Sequence, residues 1–289
     1  MNDRECPGPT LERCARVLGV KVEQLRLVGE GANGLIVSDG SGVAYKFPKN
    51  RIALQSLKEE ITYTKKLSHV LSVAVPEYLL VHLEQPLGEA FCAYRLLRGV
   101  SLTPAIYAAH RQSLSGQLSA LLREIHAIRL PAACKEPMDF AKLYREIQQY
   151  LFAQMSREEQ RQVSGRFEEY LSHTTPEERC AVHGDLGAAN ILCDPQRGEL
   201  TAVIDWAELS QDDPAMDYSS LTCQRSLPQC REDLLCLDPS LREIFSRMDF
   251  IQYTFPLQDR LYEEKVRAGI LTGDAVSYTH LTLPTILLV

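Results

Sequence analysis

Between residues 22 and 49 the chain reads VEQLRLVGEGANGLIVSDGSGVAYKFPK, in which apolar and polar positions alternate with the period of half-buried strands. The alternation breaks at GEGANG and DGSG, so three short antiparallel strands joined by tight connections are expected. In the following ALQSLKEEITYTKKLSHVL the period lengthens, and Leu57, Ile61, Leu67 and Leu71 fall on one helical face. After Pro76, EYLLVHL and EAFCAYRLL read as two more strands, which completes a five-stranded antiparallel sheet carrying one helix. From about Gly99 onward long helical periods dominate, as in SLSGQLSALLREIHAI and FAKLYREIQQYLFAQM, interrupted by the apolar runs around AVHGDLGAANIL and AVIDWAEL. The pattern implies an α+β, bilobal protein: a sheet-based N-lobe over residues 1–97 and a mainly helical C-lobe over 98–275. The last segment, VSYTHLTLPTILLV at 276–289, carries no charged residue, resembles translated cloning read-through, and is expected to be a non-native tail.

Composition narrows the classes. With 45% hydrophobic and 24% charged residues the chain suits a globular core, and MNDRECPGPT, polar with two prolines, predicts neither a signal sequence nor a membrane span. A formal net charge of −7 argues against nucleic-acid binding and is compatible with a cationic ligand. The nine cysteines are scattered and form no C-x-x-C pair, so buried or idle thiols are expected. These features lead us to expect a cytoplasmic protein without membrane or nucleic-acid partners, with a monomer as the default expectation.

The candidate chemistry begins at Gly29, Gly31 and Gly34. A dinucleotide fingerprint needs a helix after the glycines, whereas here a strand, a turn and another strand follow, so a glycine hairpin lying over nucleotide phosphates fits better. Lys46, on the third expected strand, would point at the phosphates if a helix carboxylate fixed it. Glu59 and Glu60 are both available, and Glu60 lies nearer the face that packs on the sheet. In AVHGDLGAANIL, Asp185 can align a hydroxyl nucleophile and accept its proton, and Asn190, with Asp205 at the end of AVID, can supply oxygen ligands to Mg2+. His183 reads as a brace for the loop, and Trp206 as a packing residue beside it. No A-P-E follows Asp205, and DDPAMD arrives too soon for a long activation loop, so the acceptor is expected to be a small molecule and not a peptide.

These residues resemble the aminoglycoside phosphotransferase family. HGDLGAAN, VIDWAE and DPAMD match its catalytic loop, metal loop and structural aspartate, here Asp217, and the similarity extends to about residue 275. YKFPK, YRLLRGVSLTP and FPLQDRLY are similar to the aminoglycoside 2''-phosphotransferases, while IDWAE followed by DDPAMD is also similar to macrolide 2'-phosphotransferases. Homoserine, choline and methylthioribose kinases share the same catalytic motifs. The resemblance implies a protein-kinase-like fold and transfer of the γ-phosphate of GTP or ATP, with Mg2+, to an aminoglycoside hydroxyl, first of all the 2''-hydroxyl, conferring resistance. It places Tyr94 at the hinge and gatekeeper, with the backbone through Leu96 and Leu97 receiving the purine, and a bulky tyrosine there implies a preference for guanine. Glu208, Glu232 and Asp233 fall where the family builds its acceptor pocket. An inert nucleotide-binding relative would lack one of Lys46, Asp185, Asn190 or Asp205, and all four are present.

Overall fold

A computed structural model describes residues 9–31, 34–130, 135–173 and 179–270. The apolar segment at 276–289 lies outside them, as do Ala32 and Asn33 at the tip of the glycine hairpin.

A short helix, α1 (Leu11–Leu18), is capped by the Thr10 side chain and precedes the sheet. The strands β1 (Arg26–Glu30), β2 (Gly34–Ser38) and β3 (Val43–Pro48) form the expected meander. The next helix, α2 (Arg51–Leu67), starts where the Asn50 side chain accepts from the Ala53 N–H, an N-cap at the point where strand period gives way to helix period. With β4 (Tyr78–His82) and β5 (Phe91–Arg95) the sheet closes in the order β1-β2-β3-β5-β4, antiparallel throughout. Leu57, Ile61, Leu67 and Leu71 are all buried, although Leu71 lies past the end of α2.

After the sheet come β6 (Val100–Ser101), α3 (Pro104–Ala109) and α4 (Arg111–His126), then α5 (Phe140–Tyr150) and α6 (Arg157–His173). Four short strands follow: β7 (Cys180–Val182), β8 (Ile191–Asp194), β9 (Glu199–Val203) and β10 (Ser210–Asp212). The chain then runs through α7 (Ala215–Thr222), α8 (Cys230–Leu237) and the long α9 (Arg242–Arg267). The helical region is therefore not purely helical. β6, β8 and β9 form a three-stranded sheet, and β7 pairs with β10. These strands bracket the two loops that carry Asp185 and Asp205. The main core gathers α4, α5, α7 and α9 around Trp206, Phe167 and Ile147. Among the described residues no helix is long and apolar enough to cross a membrane.

Candidate active site

The loop after β7 turns at Gly184, whose φ of +85° is left-handed. A Cβ there would stand 2.5 Å from the Glu208 carbonyl oxygen, so only glycine fits. Asp217, from the first turn of α7 and 0% exposed, holds this bend from beneath by accepting from the His183 N–H at 3.0 Å and the Gly184 N–H at 2.9 Å. His126, at the end of α4, meets the same carboxylate at 3.2 Å through Nε2.

His183 is fully buried and braces both sides of the site. Its Nδ1 accepts from the Asp185 N–H at 3.2 Å, which leaves Nε2 to donate to the Ile204 carbonyl at 3.0 Å. The Asp185 and Asp205 loops are thereby tied through one imidazole. Trp206 packs its ring on His183 at 4.5 Å and donates from Nε1 to the Val203 carbonyl.

The structure brings Asp185 and Asn190 into contact: Asn190 Nδ2 donates to the Asp185 carbonyl at 2.8 Å and to Asp185 Oδ2 at 3.2 Å. With its amide N–H groups committed there, Asn190 presents its remaining oxygen as a potential ligand. Ile204 N donates to the Asn190 carbonyl, which carries the chain directly into Asp205. Asp205 is a non-glycine residue at φ 65° and ψ 59°, a conformation that aspartate tolerates better than most residues. On its other side Lys46 Nζ stands 2.9 Å from Glu60 Oε2 and 3.8 Å from Asp205 Oδ1. Glu59, by contrast, is on the outer face of α2 with Gln55. Burial alone would depress the lysine, but the Glu60 and Asp205 carboxylates outweigh it and hold its pKa above the ordinary value. Burial raises Asp205, with Glu60 and Asp185 adding to the rise and Lys46 opposing it. Lys46 thus sits charged between two carboxylates, a poised partner for polyanions.

Above this row, Gly31 N donates to the Gly34 carbonyl to close the hairpin. Gly29 pairs with Ile36 across a β1–β2 irregularity, and a Cβ on Gly34 would press the Phe47 carbonyl at 3.0 Å. Tyr94 is buried in β5 opposite Ala44, and its pKa is raised by burial. The Leu96 N–H is already given to the Gly42 carbonyl at 2.9 Å, so at that residue only the carbonyl could meet a purine.

Among the described residues no group of three or more His, Cys, Asp or Glu side chains is gathered to hold a metal ion. The pair Asn190 and Asp205 instead offers hard oxygen donors, the set suited to a cation that takes most of its remaining ligands from water and substrate phosphates, as Mg2+ does.

The acidic residues named for the acceptor fare differently. Glu208 pairs with Lys135. Asp233 accepts from Arg111 Nε at 2.7 Å and from the Tyr107 hydroxyl at 2.6 Å, which ties α8 to α3 and α4. Glu232 is exposed on α8. Sequence reasoning also passed over His126, Ser226, whose hydroxyl accepts from the Ala188 N–H at 2.9 Å, and Arg225, which pairs with Asp259 at 3.0 Å. Ser226 fixes the Asp185 loop from the segment after α7, and nothing in its own sequence context marks it.

Residues 26–253 match the family described as the phosphotransferase enzyme family. The chain belongs to this phosphotransferase family, and it is a kinase-type enzyme. Among curated proteins none matches it. Among solved structures the phosphotransferase is similar to the GDP and kanamycin complex of APH(2'')-IIia, at 20% identity over 90% of this chain and 96% of that one, with a TM-score of 0.72. It is similar to ADP-bound aminoglycoside phosphotransferase APH(2'')-Ib at 17% identity, over 93% and 96% of the two chains, TM-score 0.71. A third likeness is to macrolide 2'-phosphotransferase MphH from Brachybacterium faecium, at 20% identity over 91% and 94%, TM-score 0.66. At these identities the likeness shows a shared, kinase-like fold.

Proposed function

We propose that this phosphotransferase moves the terminal phosphate of a nucleoside triphosphate to a hydroxyl of a small-molecule antibiotic, with an aminoglycoside 2''-hydroxyl as the first candidate. The observation that carries the reading is the single row Glu60–Lys46–Asp205 facing Asp185–Asn190. In this reading Lys46, held by Glu60, orients the phosphates under the hairpin of Gly29, Gly31 and Gly34. Asp185 accepts the proton of the acceptor hydroxyl as its oxygen bonds to the γ-phosphorus and the bond to the β-phosphate oxygen breaks, releasing the nucleoside diphosphate. Asn190 and Asp205 would hold Mg2+, which when bound neutralises charge on the phosphate oxygens. The N-lobe of residues 1–97 supplies the donor side, with Tyr94 and the Leu96 carbonyl against the purine and GTP as the favoured donor. The C-lobe of residues 98–275 supplies the acceptor side. A cytoplasmic monomer belongs to the same reading.

A macrolide acceptor is the second reading, and a specific observation favours it. Two of the three acids named for a polycationic acceptor already have cationic partners, Lys135 on Glu208 and Arg111 on Asp233. A strongly cationic sugar would have to displace Lys135 from Glu208 to use it.

The test is phosphate transfer from GTP and from ATP, with magnesium, to kanamycin, gentamicin, erythromycin, choline and homoserine, each product weighed by mass spectrometry. A phosphorylated aminoglycoside supports the first reading, and transfer to erythromycin alone replaces it with the second. Asp185→Asn should slow transfer about 10²- to 10⁴-fold while nucleotide binding stays within a few-fold of the parent. Full activity in that variant would remove Asp185 from its role.

A further inference from the structure

The Tyr78 hydroxyl is buried and has no hydrogen-bond partner. Buried polar atoms are nearly always paired, so an orphan one calls for an explanation. Tyr78 enters from β4 and sets its ring edge-on to Tyr94, with centroids 5.6 Å apart. It joins two small apolar clusters, one of Val28, Ile36 and Ala44 on the sheet, the other including Leu57 and Ile61 on α2. Leu57 and Ile61 flank Glu60, which is itself 1% exposed. Glu60 Oε2 accepts from Lys46 Nζ at 2.9 Å. Burial, and after it the Glu60 charge with a weaker hydrogen-bonding contribution from the same carboxylate, hold the Tyr78 phenol well above its ordinary pKa, so the hydroxyl stands at the edge of hydrogen-bond reach of Glu60 with no formed bond.

We propose that Tyr78 is a positioning residue for the phosphate-binding lysine: when a nucleoside triphosphate draws Lys46 toward its phosphates, the Tyr78 hydroxyl donates to the Glu60 carboxylate and keeps it in place. The inference rests on the phosphotransferase reading above. Without nucleotide, the Lys46 ammonium donates to Glu60 at 2.9 Å and stands 3.8 Å from Asp205 as an ion pair. Phosphate oxygens compete for the ammonium protons, and Glu60, shut off from water, then needs a second donor. A phenol donating to a carboxylate makes one of the stronger protein hydrogen bonds, and Tyr78 carries an unspent one beside it.

Replacing Tyr78 with Phe therefore acts in opposite directions on the free and loaded enzyme. Thermal unfolding of free Tyr78→Phe should occur at the parent temperature or above it, because an orphan polar atom has been removed. The Kd for magnesium GDP and magnesium ADP, by titration calorimetry, should rise at least five-fold, with the KM for acceptor unchanged. In a Glu60→Gln background the same change should cost less than two-fold, a coupling that a purely packing role would not give. A Kd within two-fold of the parent overturns the inference, as does a lowered unfolding temperature in the free variant together with an uncoupled loss of affinity. If the parent itself binds neither nucleotide, the phosphotransferase reading falls as well; parent binding matched by Tyr78→Phe removes this inference alone.

Discussion

Gly184 shows how much of the geometry of the Asp185 loop depends on one missing methyl group. Its φ of +85° disfavours any L side chain, and a Cβ would also meet the Glu208 Cβ at 2.8 Å. Gly184→Ala should therefore lower stability by about 1–3 kcal/mol and displace Asp185, which follows it. Calorimetry should show the Tm fall by roughly 2–4 °C per kcal/mol, and steady-state assays should show a kcat loss with nucleotide Kd nearly unchanged, since Lys46 and Glu60 stand on other elements. Asp217→Asn tests the same bend from below. The amide retains one oxygen but turns an NH2 toward the N–H groups of His183 or Gly184, so an expected loss of about 1–3 kcal/mol per unsatisfied donor should appear in the same melt. At this scale the sequence was informative where the partners are near in the chain: Asp185 and Asn190 share one loop, and their contact follows from five residues of separation. His126 was not legible, because it reaches Asp217 across 91 residues and a lone histidine at a helix end carries no signal of its partner.

At the scale of elements, α8 is fixed by a carboxylate with a structural job. Asp233 joins α8 to Tyr107 on α3 and Arg111 on α4, and its pKa is the net of burial, which raises it, against the stronger pull of Arg111 and Tyr107, which lowers it. A carboxylate with a depressed folded pKa contributes stability that is present above its unfolded pKa and is lost as pH falls through the folded value. Acid unfolding should therefore gain part of its steepness from Asp233 below about pH 4, the unfolded value for aspartate. Asp233→Asn should lower the Tm at pH 7, leave a smaller difference from the parent at pH 3, and change acceptor KM little. A large rise in acceptor KM with no change in Tm would return Asp233 to the acceptor pocket. The helical pattern of CREDLLCL could not reveal this pairing, because an acidic residue at the flank of an amphipathic helix looks the same whether it faces water, a substrate or a neighbouring arginine. Likewise β6, β7 and β10, two or three residues each, are too short to print a period of two, whereas α2 and the β1–β3 meander are long enough to be read directly.

Across the whole molecule, α2 and the segment after it belong to both lobes at once. Glu60 reaches the sheet through Lys46, while α2 packs on the turn Trp206–Glu208 that follows Asp205. Leu67, Leu71 and Val75 lie in the main C-lobe core and not in the cores of the sheet. Ala74 exchanges backbone hydrogen bonds with Thr201 and Val203 of β9, and Ser72 donates from both its N–H and its hydroxyl to Glu124 on α4. A ligand that bridges Lys46 and Asp205 therefore draws on an element whose packing is continuous through both lobes, and its binding energy should be felt by the entire fold. Magnesium GDP at 100 times its Kd should stabilise the native state by about 2.7 kcal/mol. Calorimetry should show this as an upward shift of a single transition. Lys46→Ala should melt below the parent temperature without nucleotide, because buried Glu60 loses its cation, and should also lose most of the ligand-induced shift, because the two carboxylates it leaves behind repel the phosphates. Two separated transitions, of which nucleotide moved only one, would mean that the sheet unfolds independently and that α2 follows the sheet alone.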